Sequence, residues 1–392
     1  MNRPAKYQGV RSPMATTMSG NEAAPRRRFL KGAGVTVAGA AAGAIAMPNV
    51  SRAQTAVLKM QGAWAGTDIF NDMAMDYVNR VNKMAGSRLK VEYLVAGAIV
   101  KPFSIMDAVH DGVLDAGHHA PAYWYGKHKG ASFFGTGPCW GWTAHQTVAW
   151  IHFGGGKELH RELTQELLGL NTVSFFHMPM PTQPLGWFKK APQSPDDIKG
   201  LKYRTVGLAT DLFQAMGASV VQVPGGEILP AMERGVIDAF EFNNPTSDRR
   251  LGSPDVAKNY MLGSYHQAGE FFEIVINKGK FDSLPEEHQA ILEHSAEAAN
   301  SASYARALDN YSKDLVALVE TQGVKVARTP QSILDAQLAA WDKLLEGLTK
   351  DPFIAKLAES QKAWAKRVVA YELSNAADYR LAYEHFFGKL TI

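Results

Sequence analysis

The sequence predicts an α/β protein built of two similar lobes and finished by long helices. Three observations predict it: a strand–helix–strand rhythm early in the chain, an internal repeat, and two long tracts free of Gly and Pro. Residues 55–61 alternate weakly and read as a first strand. Residues 68–84 then read as a helix stopped at Gly86, and 88–94 as the next strand. Strands alternating with helices point to a parallel sheet covered by helices. The repeat is residues 105–116, IMDAVHDGVLDA, recurring as 228–239, ILPAMERGVIDA. Each copy reads as a short amphipathic helix stopped by Gly112 or Gly235, then a strand entering at Val113 or Val236; Gly accepts the left-handed conformation that side chains resist. The copies are read as equivalent units of the two lobes.

The remaining elements follow in order. Ser194-Pro195-Asp196-Asp197 is a helix start, with Ser as cap, Pro in the first turn and acids at the positive end. Gly200 stops that turn and 201–206 becomes a strand. Residues 286–322 contain neither Gly nor Pro and read as one helix ending at Gly323. Residues 353–387 also lack both. As one helix this tract would be ~50 Å long, too long for one lobe, so it must lie along both lobes or against a second chain. Two shorter helices kinked near Ser374-Asn375 are the alternative.

Composition narrows the function classes. The chain has 392 residues, 46% hydrophobic, with 41 Lys+Arg against 38 Asp+Glu, both signs dispersed. That excludes a nucleic-acid surface. Cys139 is the single cysteine, which excludes an intrachain disulfide and a multi-Cys zinc site. Residues 1–53 stand apart: eight of the basic residues and one acid fall there. Arg26-Arg27-Arg28-Phe29-Leu30-Lys31 precedes a small-residue apolar run, Pro48 breaks it, and Ser51-Arg52-Ala53 offers a cleavage site. This is the layout of a twin-arginine signal peptide, so 1–53 is expected to direct export to the periplasm.

Enzyme signatures are weak. Gly154-Gly155-Gly156-Lys157 lacks the first Gly and the Ser or Thr of a phosphate loop. No G-x-S-x-G elbow and no H-E-x-x-H pair occurs, and no catalytic residue is assigned. Eight of the twelve His fall between His110 and His177, so a secreted His-rich metalloenzyme is one alternative, although no carboxylate accompanies them at ligand spacing. Aromatics 123–150, led by Tyr123 and Trp124, wall a ligand pocket or pack a core. Three segments combine polar groups with strand ends: Gln183 among helix-breaking neighbours, Arg204 on its strand, and Glu241-Phe242-Asn243-Asn244. Ligands of open α/β sheets bind beyond such carboxyl ends. Arg is the bidentate partner of a carboxylate, and Gln and Glu oxygens suit a hard cation.

These residues carry a resemblance. Residues 197–204 (DIKGLKYR), 225–239 and Ile276-Asn277-Lys278 are similar to the periplasmic solute receptors of tripartite ATP-independent periplasmic (TRAP) transporters. His152-Phe153-Gly154-Gly155-Gly156 and Gly186-Trp187-Phe188 point further, to the branch resembling 2-oxo-acid and lactate receptors. The resemblance runs over nearly all of 56–388. It implies the two-lobed periplasmic-binding-protein (Venus flytrap) fold, divided as 54–176 plus 243–275, 177–242 plus 276–322, and C-terminal helices 323–392. It implies a small monocarboxylate delivered to TRAP membrane subunits, gripped by Arg204, with Gln183, Tyr123, Trp124 and Asn243 as further contacts. It implies a Na+ ion, with Ca2+ as the alternative, bridging ligand and protein through Gln183, Glu241 and the carbonyl of Phe242, with Gln267 beside them. Arg204, one monovalent cation, Glu241 and one carboxylate sum to zero charge. Two departures stand out: Gln267 occupies a position where the branch often has an acid, unless Glu270 substitutes, and Pro179 stands where a ligand-contacting Asn aligns. The branch also forms homodimers by exchanging a long C-terminal helix. A ligand-binding partner of a membrane sensor is the remaining alternative.

Overall fold

The computed structural model describes residues 55–391; the signal-peptide expectation lies outside the described residues. Eleven strands are present among them: β1 (Ala56–Gly62), β2 (Leu89–Leu94), β3 (Ala116–His119), β4 (Thr172–Met180), β5 (Gly186–Phe188), β6 (Lys202–Arg204), β7 (Ser219–Val221), β8 (Ala239–Phe240), β9 (Asn259–Leu262), β10 (Glu270–Asn277) and β11 (Lys325–Arg328). They form two sheets, ordered β2-β1-β3-β10-β4 and β11-β9-β5-β8-β6-β7.

The repeat predicted this duplication. In the first sheet β1 runs parallel to β2 and β3, and β3 meets antiparallel β10. In the second, β6 runs parallel to β7 and β8, and β8 meets antiparallel β5. The repeat helices, Ile105–His110 and Ile228–Glu233, feed the equivalent strands β3 and β8. Gly112 and Gly235 both adopt positive φ, 75° and 69°, as the stops require. The strands begin three residues later than expected, at Ala116 and Ala239, and Val113 and Val236 lie exposed in the turns.

Two strands depart from the expected division. β9, in a stretch assigned to the first lobe, pairs with β5 in the second sheet. β11, assigned to the C-terminal helices, extends that same sheet beside β9. The chain therefore crosses between sheets after Met180 and again between Leu262 and Glu270. These crossings lie side by side: the Gln183 N–H donates to the Gln267 carbonyl at 3.1 Å, and the Thr182 hydroxyl to Ala268 O at 2.8 Å.

The helix Glu286–Gln322 has 37 residues, about 55 Å of rise, and serves as a common spine. Its Leu292, Ala296 and Ala299 pack with Tyr77, Leu89 and Ile274 of the first lobe, while Leu318 packs with Trp187 and Tyr260 of the second. Residues 353–387 do not form one helix. Pro352–Asn375 and Tyr379–Phe387 are separate, because Ala376 turns extended and the Asp378 carboxylate caps the second helix at Leu381 N. Pro352–Asn375 lies on the first lobe alone, burying Leu357, Ala365 and Val369 with Phe133 and Trp150. Tyr379–Phe387 buries nothing; Tyr379, Leu381, Phe386 and Phe387 are exposed. No described helix is long and apolar enough to cross a membrane.

Candidate functional site

Arg204 ends β6 and sits opposite Phe240 of the parallel strand β8. That register brings Glu241, the residue after β8, to the guanidinium. Arg204 Nη1 donates to the Glu241 carbonyl at 2.8 Å and to Glu241 Oε1 at 2.9 Å, and Nε donates to Val223 O at 3.0 Å. Both side chains are 1% exposed. Within the described residues no hydrogen bond uses Arg204 Nη2, which leaves one edge of the fork for a ligand oxygen. The Phe242 ring covers the guanidinium, its centroid 5.9 Å from Cζ. Gly225 allows this, since a Cβ there would overlap that ring.

The crossings supply the other half. Gln183 Nε2 donates to Glu270 Oε2, and both side chains are buried. Gln183 Oε1, Glu241 Oε2, both side-chain polar atoms of Gln267 and Asn243 Nδ2 are buried with no hydrogen-bond partner among the described residues. Buried polar atoms are rarely left unpaired without a reason such as a bound ion. Burial pushes the Glu241 carboxyl up to about 7 against the pull of Arg204. Burial likewise pushes Glu270 up to about 8 although Gln183 donates to it. Arg204, Glu270, Glu241 and Asp68 all act on the Tyr123 hydroxyl, whose acidity burial suppresses. Oxygen-rich, cysteine-free and partly anionic, this donor set fits a hard cation such as Na+ or Ca2+.

Of the residues expected from the sequence, Arg204, Glu241, Phe242, Gln183, Gln267 and Asn243 are thus gathered where β6, β8 and the crossings end, while the Tyr123 ring packs against Trp64 and Phe103. Trp124 is not among them. Its indole Nε1 donates to Glu273 Oε1 at 2.6 Å in the first lobe's core, where Glu273 also faces His160 at 3.2 Å and His119 at 3.6 Å. A buried acid requires such partners, and Trp124 supplies one of them. His118 and His177 bond to each other at 2.9 Å. Among the described residues no group of three or more His, Cys, Asp or Glu is placed to hold a metal ion, and His118, His119, His160 and His177 are buried in the first lobe's core.

Sequence reasoning missed Asp68. It caps the helix Ile69–Ala85 by accepting from Phe70 N at 2.9 Å, and it also accepts from the Ser247 hydroxyl at 2.7 Å. An Asp at a helix start carries no signal of burial, and Ser247 lies far off in the sequence.

Residues 61–355 match the family of bacterial extracellular solute-binding proteins, family 7. A monocarboxylate 2-oxoacid-binding periplasmic protein of Nostoc sp. is 30% identical over 342 residues, covering 87% of this chain and 90% of that protein. A solved TRAP solute-binding protein from Bordetella bronchiseptica, a mixed-occupancy dimer with copurified calcium and picolinate in its active site, matches with TM-score 0.79 at 26% identity, over 85% of this chain and 97% of that one. Another from Pseudoalteromonas atlantica, with bound sodium and pyruvate, matches with TM-score 0.78 at 31% identity, over 85% and 99%.

Proposed function

The chain belongs to the bacterial extracellular solute-binding proteins of family 7, and we propose that it is a TRAP receptor that binds a monocarboxylate with a 2-oxo or 2-hydroxy group through Arg204 and a cation. The family is one of periplasmic receptors, and no reaction is assigned to this chain. One observation carries the reading: the buried Arg204–Glu241 pair is ringed by side-chain oxygens that find no partner among the described residues. A ligand carboxylate would take the free edge of Arg204. The cation would be held by Gln183, Glu241, Gln267, Glu270 and the carbonyl of Phe242, and by the ligand's carboxylate and 2-oxygen. That is about seven oxygens, the number calcium takes.

Glu270 changes the charge count made from the sequence. With Glu241, Glu270 and the ligand all ionised against Arg204, two negative charges remain, and one divalent cation closes the sum. This favours Ca2+ over Na+. The test is ligand-dependent thermal stability of protein stripped by unfolding and refolding, with pyruvate, lactate or larger 2-oxo acids, each with Ca2+, Na+ or chelator. A ligand at 100 times its Kd stabilises by about 2.7 kcal/mol, a rise of a few degrees in Tm. Absence of any shift with every acid and cation overturns the receptor reading.

Export and assembly belong to the same proposal. Changing Arg26 and Arg27 to Lys is expected to leave the protein in the cytoplasm, as read by cell fractionation; unchanged periplasmic yield removes the twin-arginine route. The exposed apolar face of Tyr379–Phe387 supports a homodimer in which this helix packs on the second copy. Light scattering is expected to give a dimer for the mature chain and a monomer after removal of residues 376–392. A monomeric mature chain contradicts this.

A further inference from the structure

A cleft lies beside the Arg204 site and shares Phe242 with it, and what lines it bears on the ligand's tail. It has a volume of ≈310 Å³, more than a three-carbon acid fills. It begins at Phe242, the same ring that covers Arg204. Trp64 forms the opposite wall, fixed by its indole Nε1 donating to His118 Nδ1 at 2.6 Å and by edge contacts with Phe70 and Phe272. Small residues, Ala65, Gly97 and Gly226, keep the mouth wide. Asp68 lines the cleft as a buried acid that accepts from Phe70 N and the Ser247 hydroxyl; Glu227 and Arg250 are the other charged groups of the lining, and Arg250 is paired with Asp72 at 2.9 Å.

We propose that this cleft is a tail subsite, and that the receptor selects monocarboxylates with a bulky uncharged tail, branched or aromatic, over pyruvate and over dicarboxylates. The proposal rests on the receptor reading above. With the carboxylate on Arg204, the tail leaves past Phe242 and lies between its ring and Trp64. Apolar area removed from water there gives affinity, about 0.8 kcal/mol or fourfold for each methylene. A second carboxylate would meet Asp68 and Glu227, with the lining's one cation, Arg250, already paired to Asp72, and be rejected.

The experiment compares pyruvate, 4-methyl-2-oxopentanoate, phenylpyruvate and 2-oxoglutarate by calorimetry on the wild type, Gly226→Phe and Ala65→Phe. Gly226 has ordinary φ and no atom within 4 Å of an added Cβ, and Ala65 is exposed, so both variants fill the cleft from opposite sides without disturbing the fold. The expected result is tenfold or more tighter binding of the two bulky acids than of pyruvate, and weak binding of 2-oxoglutarate. Each variant is expected to weaken the bulky acids by about tenfold while pyruvate stays within about threefold. Pyruvate binding tightest in the wild type, or variants that weaken all acids alike, overturns the tail subsite and leaves the receptor reading standing. Failure of every acid to bind removes both.

Discussion

Arg204→Ala is expected to abolish carboxylate binding, raising Kd by at least ~100-fold, while the protein remains folded. The size of the effect follows from burial. Removing one partner of a buried charge pair leaves the other uncompensated, at about 3–5 kcal/mol, and each 1.4 kcal/mol is tenfold in affinity. The ligand carboxylate would enter a site holding two acids and no fixed cation. The fold survives for a separate reason. Glu241 is held ionised mainly by Arg204 against a burial that already pushes it up to about 7; without the guanidinium it takes up a proton and becomes neutral, which is how buried acids avoid an unpaired charge. Arg204→Lys separates charge from shape. A lysine keeps the positive charge but not the fork that reaches Glu241 and Val223 while presenting Nη2 outward, so its affinity is expected between those of wild type and Arg204→Ala. Calorimetry checks the affinities and circular dichroism the fold. Affinity for the best acid within a few-fold of wild type in Arg204→Ala takes Arg204 out of the site.

The two-lobed plan was legible because its signals are local. A helix stop that needs positive φ at Gly112 and again at Gly235, each followed by a strand, is written in a dozen residues. So was the spine, since Glu286–Gln322 holds neither Gly nor Pro and ends on Gly323 at φ 64°. What stayed hidden depends on distant partners. β9 and β11 are four residues each, too short to show a periodicity, and only pairing across the second sheet assigns them. The break after Asn375 was open to the sequence only as the alternative of a kink near Ser374-Asn375, which the structure adopts; no Gly or Pro marks it, and the cap at Asp378 is one acid among many in the sequence. The site divided in the same way. Arg204, Glu241 and Gln183 sit at strand ends and beside helix breakers, features a sequence displays. Trp124 could not be separated from its neighbour Tyr123 by composition, because its partner Glu273 lies 149 residues away. Asp68 carried no signal beyond being the first residue of the expected helix, and its bond to Ser247 across 179 residues was beyond any local pattern.

The second large effect concerns the cation and turns on Glu270, the acid that follows the second crossing. Glu241→Gln is expected to remove calcium from the site and to weaken ligand binding at least ~10-fold, since the cation and the ligand would share ligating oxygens. Glu270→Gln is expected to act differently. It deletes one negative charge and preserves shape and the contact with Gln183, so Arg204, Glu241, the ligand and a monovalent ion then sum to zero. Ligand binding by this variant should be supported by Na+ at least as well as by Ca2+, whereas the wild type should need Ca2+. The reversal has a physical source: a divalent ion among only two negative charges and Arg204 would leave the buried site with a net positive charge, which is as costly as a net negative one. Elemental analysis of metal bound to refolded protein and Tm with each cation read this independently of transport. If wild type and Glu270→Gln show the same cation preference and the same metal content, Glu270 is a neutral hydrogen-bonding neighbour of Gln183, kept protonated by the burial that pushes it up to about 8, and the site is a sodium site set by Glu241 alone.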